Sequence, residues 1–128
     1  MEEVLDFHEL DEYQGELLKR FERVYPEETK KFVRKQTNKA GNAYKAKLPK
    51  GKTGNLRKGA GKNTKNFKGH YVGMVYNTAP HAHLYEDGHM NVDGSTTPGK
   101  HALYITMIQE APHIDSEIDA FIDRMCDF

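Results

Sequence analysis

Tyr71-Val72-Gly73-Met74-Val75-Tyr76 is the stretch on which the fold turns. Its β-branched and aromatic residues, closed by Asn77, predict a strand in a chain whose longer patterns are helical. The expected class is therefore α+β: two N-terminal helices, a small antiparallel sheet with a long basic loop or hairpin, and a C-terminal helix. Immediately before the strand, residues 50–69 are rich in Gly, Lys and Asn, with Leu56 and Phe67 the large apolar exceptions. That composition reads as a loose β-hairpin or a long, mobile basic loop following a turn at Thr53-Gly54-Asn55. Further back, Pro26 suits the first turn of a helix running to about Lys47, with Glu27 and Glu28 at the positive end of its dipole. Phe32, Val33, Gln36, Ala40, Ala43 and Tyr44 form its narrow apolar face, and Pro49 and Gly51 end it. An earlier helix is expected from Phe7 to Tyr25, because Leu10, Tyr13 or Leu17, Leu18, Phe21 and Val24 follow at steps of three and four. Asp6 is its candidate cap.

Forward of the strand, Pro80 to Asp87 reads as a short helix and Gly88 to Gly99 as a turn-rich loop. His101 to Gln109 fits either a strand or a helix. Pro112 to Met125 is expected to form a terminal amphipathic helix on Ile114, Ile118, Phe121, Ile122 and Met125. The chain of 128 residues is read as a single domain, 1–128. With 37% hydrophobic and 30% charged residues, its core should be modest. Either a thin domain that completes its burial by oligomerising or an exposed basic loop accounts for those proportions.

The formal net charge of zero hides a division into three blocks. Residues 29–70 hold fourteen basic side chains and no acidic one, a net of +14. Residues 1–28 hold ten acids and three bases, and residues 71–128 nine acids and two bases, each block netting −7. Such a chain can bind an anionic partner through its middle, or copies of itself, acidic ends against basic centre. Lys50, Lys52, Arg57, Lys58, Lys62, Lys65 and Lys68 are the candidate contact residues. Residues 45–70 would serve a small basic nucleic-acid-binding protein equally well, with glycines letting the backbone follow phosphates. However, lysine outnumbers arginine twelve to two across residues 29–70, which suits diffuse charge better than base reading.

Catalytic chemistry finds little support. His81, His83, Glu86 and His89 are metal-ligand types, but His81 and His83 stand two residues apart and would lie on different helix faces. Cys126 sits in an acidic C-terminal helix, where a thiolate is disfavoured, and as the lone cysteine it excludes an internal disulfide. The glycines of residues 51–61 lack phosphate-loop spacing. No catalytic residue, metal ligand or cofactor site is assigned. No apolar run approaches the roughly 20 residues of a membrane span, so no membrane partner is expected.

Three strings follow one another along the chain: Leu48-Pro49-Lys50-Gly51-Lys52-Thr53-Gly54-Asn55-Leu56-Arg57-Lys58-Gly59, Ala79-Pro80-His81-Ala82-His83-Leu84-Tyr85-Glu86-Asp87-Gly88-His89, and Pro98-Gly99-Lys100-His101. The first resembles the P-x-x-TG-x-L-R signature of a family of tailed-phage tail components, variously called head–tail joining, neck or tail-completion proteins. The order of the three strings is similar to that family over roughly residues 5–125. The resemblance implies a non-enzymatic structural subunit of a phage, prophage or tail-like particle, forming a ring at the head-proximal end of the tail. Its partners would be copies of itself, neighbouring tail-tube or connector proteins, and DNA contacted non-specifically in the channel. It would be assembled in the bacterial host cytoplasm and reside in the virion tail or neck. Read physically, Gly54 and Gly88 suit turns with positive φ, Thr53 a local cap, Leu56 an apolar anchor, and Arg57 a cation expected to reach Glu86.

Overall fold

In a computed structural model of the chain, which describes residues 2–5, 12–51, 54–67 and 70–126, the expected strand lies at the centre of a three-stranded antiparallel sheet. Chain order is β1 (Glu2–Leu5), α1 (Glu12–Val24), α2 (Pro26–Lys47), α3 (Asn55–Gly59), β2 (Ala60–Phe67), β3 (His70–Asn77), α4 (Ala82–Asp87), β4 (Gly88–Met90), β5 (Thr96–Pro98) and α5 (Ala102–Met125). The class is α+β, as the sequence implies. The sheet is ordered β1-β3-β2, with Val75 of β3 opposite Glu3 on one side and Lys62 on the other.

One face of the sheet is covered by α2, whose buried residues Thr29, Phe32, Val33, Gln36, Thr37, Ala40, Gly41 and Tyr44 recur at steps of three and one, a helical stripe. Gly41 rather than Ala43 completes that stripe, because the Lys62 stem lies where a Cβ on residue 41 would sit, 2.8 Å from it. Gly73 has a similar reason: a Cβ there would run into the Thr37 hydroxyl. A strand glycine here marks close approach of a helix. Pro26 stands in the first turn of α2, followed by Glu27 and Glu28, and Lys45 and Lys47 occupy the last turn, so both ends complement the helix dipole.

The apolar core has two centres joined by α2. Near its start, Phe32 and Val33 pack with Leu18 and Phe21 of α1 and with Ile114, Ile118, Phe121 and Ile122 of α5. Phe32 stacks on Phe121 at 4.4 Å between centroids, and Phe21 meets the same ring edge-on at 5.7 Å. Near its end, Ala40, Tyr44 and Leu48 pack with Val75, Ala102 and Leu103. The start of α2 thus meets the end of α5 and the reverse, so the two long helices run antiparallel.

Several expectations are corrected. β1 is a strand where no element was expected; β3 supplies the pairing that its four residues could not specify alone. The start of the first helix, with Asp6, Phe7 and Leu10, falls outside the described residues. Of the two forms open for residues 50–69, residues 60–67 adopt the hairpin strand, paired with β3 along their length. The expected turn-rich loop contains the β4–β5 hairpin, in register from Gly88↔Pro98 to Met90↔Thr96. His101 to Gln109 is helical and continuous with the terminal helix, so α5 passes through Pro112. Proline there withholds one amide from the carbonyl of Ile108, a residue half exposed and so open to water, which keeps the cost within what burial of both halves of α5 repays.

Candidate functional site

The three strings of the sequence fold onto one another at one end of the sheet. Arg57 is drawn inward, its Nε donating to the Leu48 carbonyl at 2.7 Å, which ties α3 to the end of α2. The expected Arg57–Glu86 pair is not formed. Glu86 is buried, and its two carboxylate oxygens accept the N–H groups of Leu103 at 2.8 Å and Tyr104 at 3.2 Å. It therefore caps α5 from a distance. The residue before that helix, His101, has φ 51 and no side-chain cap bond of its own, so the orphan amides of the first turn take a carboxylate from α4. A negative group there also suits the helix dipole.

Gly54 and Gly88 have φ of 69 and 88, the left-handed half of the map that glycine tolerates. Gly88 and Gly99 approach so closely that a Cβ on residue 88 would stand 2.7 Å from the Gly99 nitrogen. Beside them Asn77, buried at the end of β3, donates from Nδ2 to the Tyr44 hydroxyl at 3.1 Å and to the Leu56 carbonyl at 2.9 Å, while its Oδ1 accepts from Ala79 N–H at 2.9 Å. Burial pushes the Tyr44 phenol above its ordinary value; the Asn77 hydrogen bond works against that rise, and the charges of Glu86 and Tyr85 add to it. Asn77 was not singled out in the sequence, although an asparagine closing an apolar strand is a turn signal. Glu22 was missed as well: it is buried on α1 and accepts the Tyr71 N–H at 2.8 Å, with His70 Nδ1 at 3.7 Å.

The motif residues are thus structural pins around an open apolar groove of about 470 Å³, lined by Leu56, Ala79, Pro80, Leu84, Tyr85 and Pro98 among others. His81 and His89 stand on its lining, and they and His83 are exposed. Among the described residues, no group of three or more His, Cys, Asp or Glu is placed to hold a metal ion. Both oxygens of Glu86 already face amides.

The remaining surface carries both charged and large apolar residues. Lys50, Lys58, Lys62 and Lys65 are exposed; Lys52, Thr53 and Lys68 lie outside the described residues. Lys62 donates to Asn42 Oδ1 at 2.7 Å, so this cation of β2 lies against α2, while Lys65, three residues on, stands on the other face of the sheet. Lys39 of α2 reaches Glu117 of α5 at 3.6 Å, where the basic helix meets the acidic one. Met90 and Val92 at the β4–β5 hairpin, and Tyr104, Ile105 and Ile108 on the outer side of α5, are large apolar residues left exposed. The hairpin turn itself is well bonded, with Asn91 N–H donating to the Ser95 carbonyl at 2.7 Å. Hydrogen bonds from the Ser95 hydroxyl and N–H hold the Asp93 carboxyl below its usual range. No helix among the described residues is long and apolar enough to cross a membrane.

Residues 15–88, more than half of the chain, match the HK97-gp10-like family model, described as "Bacteriophage HK97-gp10, putative tail-component". That span runs from within α1 to the end of α4 and takes in α2, the β2–β3 hairpin, the first string and all but the last residue of the second. The signature itself is looser than its pattern, since three residues, Lys50, Gly51 and Lys52, separate Pro49 from Thr53. No curated protein matches the chain, and no solved structure does.

Proposed function

The chain belongs to the HK97-gp10-like family of bacteriophage tail components, and from that membership we propose that it builds a ring at the head-proximal end of the tail, for tail completion or head–tail joining. It is a structural component of the virion tail. In this reading it is a single non-enzymatic domain whose work is assembly. It joins copies of itself and a neighbouring tail-tube or connector protein, and it is put together in the host cytoplasm.

The observation that carries the reading is how the cationic block folds. Eleven of its fourteen bases stand on α2, α3 and β2; the apolar side of α2 is buried, and Lys58, Lys62 and Lys65 are exposed, as is Lys50 just after α2. The carboxylates best placed for chemistry are spent on structure, Glu86 on the α5 amides and Glu22 on Tyr71. What remains outside is a contact surface of exposed lysines and uncovered apolar residues. The exposed lysines also meet the phosphates of DNA passing through the channel, without reading its sequence.

The test is assembly of the particle with Lys50, Lys58, Lys62 and Lys65 changed to Gln. Loss of tailed particles, with heads and tails accumulating separately, is expected. Unchanged particle formation would count against the reading.

A further inference from the structure

The β4–β5 hairpin carries large apolar side chains at a surface turn, and the open apolar groove lies at its foot. Met90 is 74% exposed, and Val92, at 109%, stands fully in solvent. The turn that holds them is tied down. Gly94 N–H donates to the Asn91 carbonyl at 3.0 Å, Asn91 Nδ2 to the Ser95 hydroxyl at 3.0 Å, and Thr97 Oγ1 to Asn91 Oδ1 at 3.1 Å. The foot is fixed too, since the Lys100 and His101 N–H groups donate to the carbonyls of Tyr85 and Glu86. Apolar side chains on a tip already ordered lose little entropy on binding, which is the form of a preorganised anchor.

Resting on the ring reading above, we propose that the hairpin tip of one copy, Val92 with Met90, docks in the groove of the next copy, where Asp93 meets Lys100. Charge selects this occupant. Among the described residues the groove's lining holds Lys100, His81 and His89 and no carboxylate. The tip, residues 90–95, holds one carboxylate, Asp93, and no base. Both bonds that Ser95 makes to Asp93 fall on Oδ1, which leaves Oδ2 to face a cation. Leu56, Leu84, Tyr85 and Pro98 supply apolar walls. At about 470 Å³ the groove lies within the ~300–1,000 Å³ of pockets that take whole ligands, room enough for two side chains.

The tip does not serve its own groove. His89 and Thr97 are paired across the hairpin and both stand on the lining. Met90 and Thr96, the next pair outward, are turned to the opposite face by strand alternation. Two copies therefore cannot simply exchange tips, because the face that gives and the face that receives lie on opposite sides. The contact is heterologous: each copy gives a tip to one neighbour and takes one from another, and such contacts make a ring where the rotation closes. Two side chains bury far less than the ~1,600 Å² of a standard interface. The tip is thus an anchor that fixes register, and attraction between the acidic and basic blocks brings copies together.

Tip and groove variants, alone and mixed, test this. Met90→Ser with Val92→Ser removes the anchor and keeps the groove. His81→Trp with Lys100→Glu obstructs the groove and keeps the tip. Sedimentation velocity at low salt should show each variant alone about tenfold or more weaker in self-association than the unaltered chain. A one-to-one mixture should give pairs and nothing larger, because it holds one sound tip and one sound groove per pair. Asp93→Asn, which keeps the apolar tip, should weaken association by less. Variants folded by circular dichroism that assemble alone as the unaltered chain does, or whose mixture stays monomeric, would overturn the contact and leave the ring standing. Normal self-association of the tip variant with loss of tailed particles would assign the tip to a neighbouring tail protein and likewise overturn it. An unaltered chain that stays monomeric at every salt concentration would overturn the ring reading and the contact with it.

Discussion

The Glu86 carboxylate lies 2.8 Å from the backbone N–H of Leu103, seventeen residues away in sequence. This contact joins the second motif string to the start of α5. It explains why a glutamate stands two residues before Gly88: the 24-residue helix α5 has no side-chain cap of its own. The sequence could have signalled this, since no Ser, Thr, Asp or Asn precedes Ala102, and such a helix must borrow its cap.

Removing that carboxylate should be costly. Glu86→Ala leaves two amides of the first turn unpaired and is expected to destabilise the fold by about 1–3 kcal/mol. Glu86→Gln keeps an acceptor and should recover part of the loss. Urea unfolding reads both, and an unchanged midpoint for the alanine variant would contradict the capping role.

Tyr44 gives the fold an alkaline limit. Its pKa is raised from the ordinary 10.0, so the folded state holds this proton where the unfolded state releases it. The stabilisation is complete below the unfolded value and is lost as pH rises through the folded one. Stability should therefore fall above about pH 10, the ordinary tyrosine value. In Tyr44→Phe, whose baseline is lower because Asn77 loses an acceptor, the fall over that range should be shallower. Identical slopes for the two chains in unfolding experiments from pH 9 to 11 (roughly one unit each side of that value) would remove Tyr44 from the account.

Gly73 and Thr37 should behave as one unit. Gly73→Ala pushes a methyl into the Thr37 hydroxyl and is expected to cost about 1–3 kcal/mol, as overpacking does. Thr37→Ala opens that space, so the double variant should be more stable than the sum of the single losses predicts. Strict additivity in a double-mutant cycle would mean that α2 and β3 are less closely packed than this contact requires.

Contact with DNA, as proposed, is made through phosphates. Fluorescence anisotropy with labelled duplexes should show binding that collapses as salt rises and is indifferent to sequence. Changing Lys58, Lys62 and Lys65 to Gln should flatten the salt dependence. Tight binding that survives high salt, or that discriminates between sequences, would argue against the charge-driven contact.

How far the sequence alone reaches depends on where each signal resides. α2, β3 and the second half of α5 were legible because proline, β-branched residues and steps of three and four are local. The β4–β5 hairpin was also within reach, since Asp93-Gly94 between short polar strands is a hairpin signal. β1 was not, because four residues with two glutamates become a strand only through their pairing with β3. Pro112 misled for a similar reason: tertiary burial at Leu103 and Ile114 carries one helix across a residue that propensity would place at a boundary. At the junction of the strings, the positive φ of Gly54 and Gly88 followed from residue type. The partners of Arg57 and Glu86 did not, because sequence gives the charge of a side chain and only the fold decides whether an amide or an opposite charge stands nearest.

The central claim is that oppositely charged parts of this chain hold copies of it together in a multimeric collar. Sedimentation velocity of the unaltered chain, at salt concentrations on either side of the ~0.1 M at which the Debye length is about 10 Å, measures that directly. The account predicts multimers at low salt that dissociate to monomers as salt rises. A monomer throughout, or a multimer indifferent to salt, would contradict it.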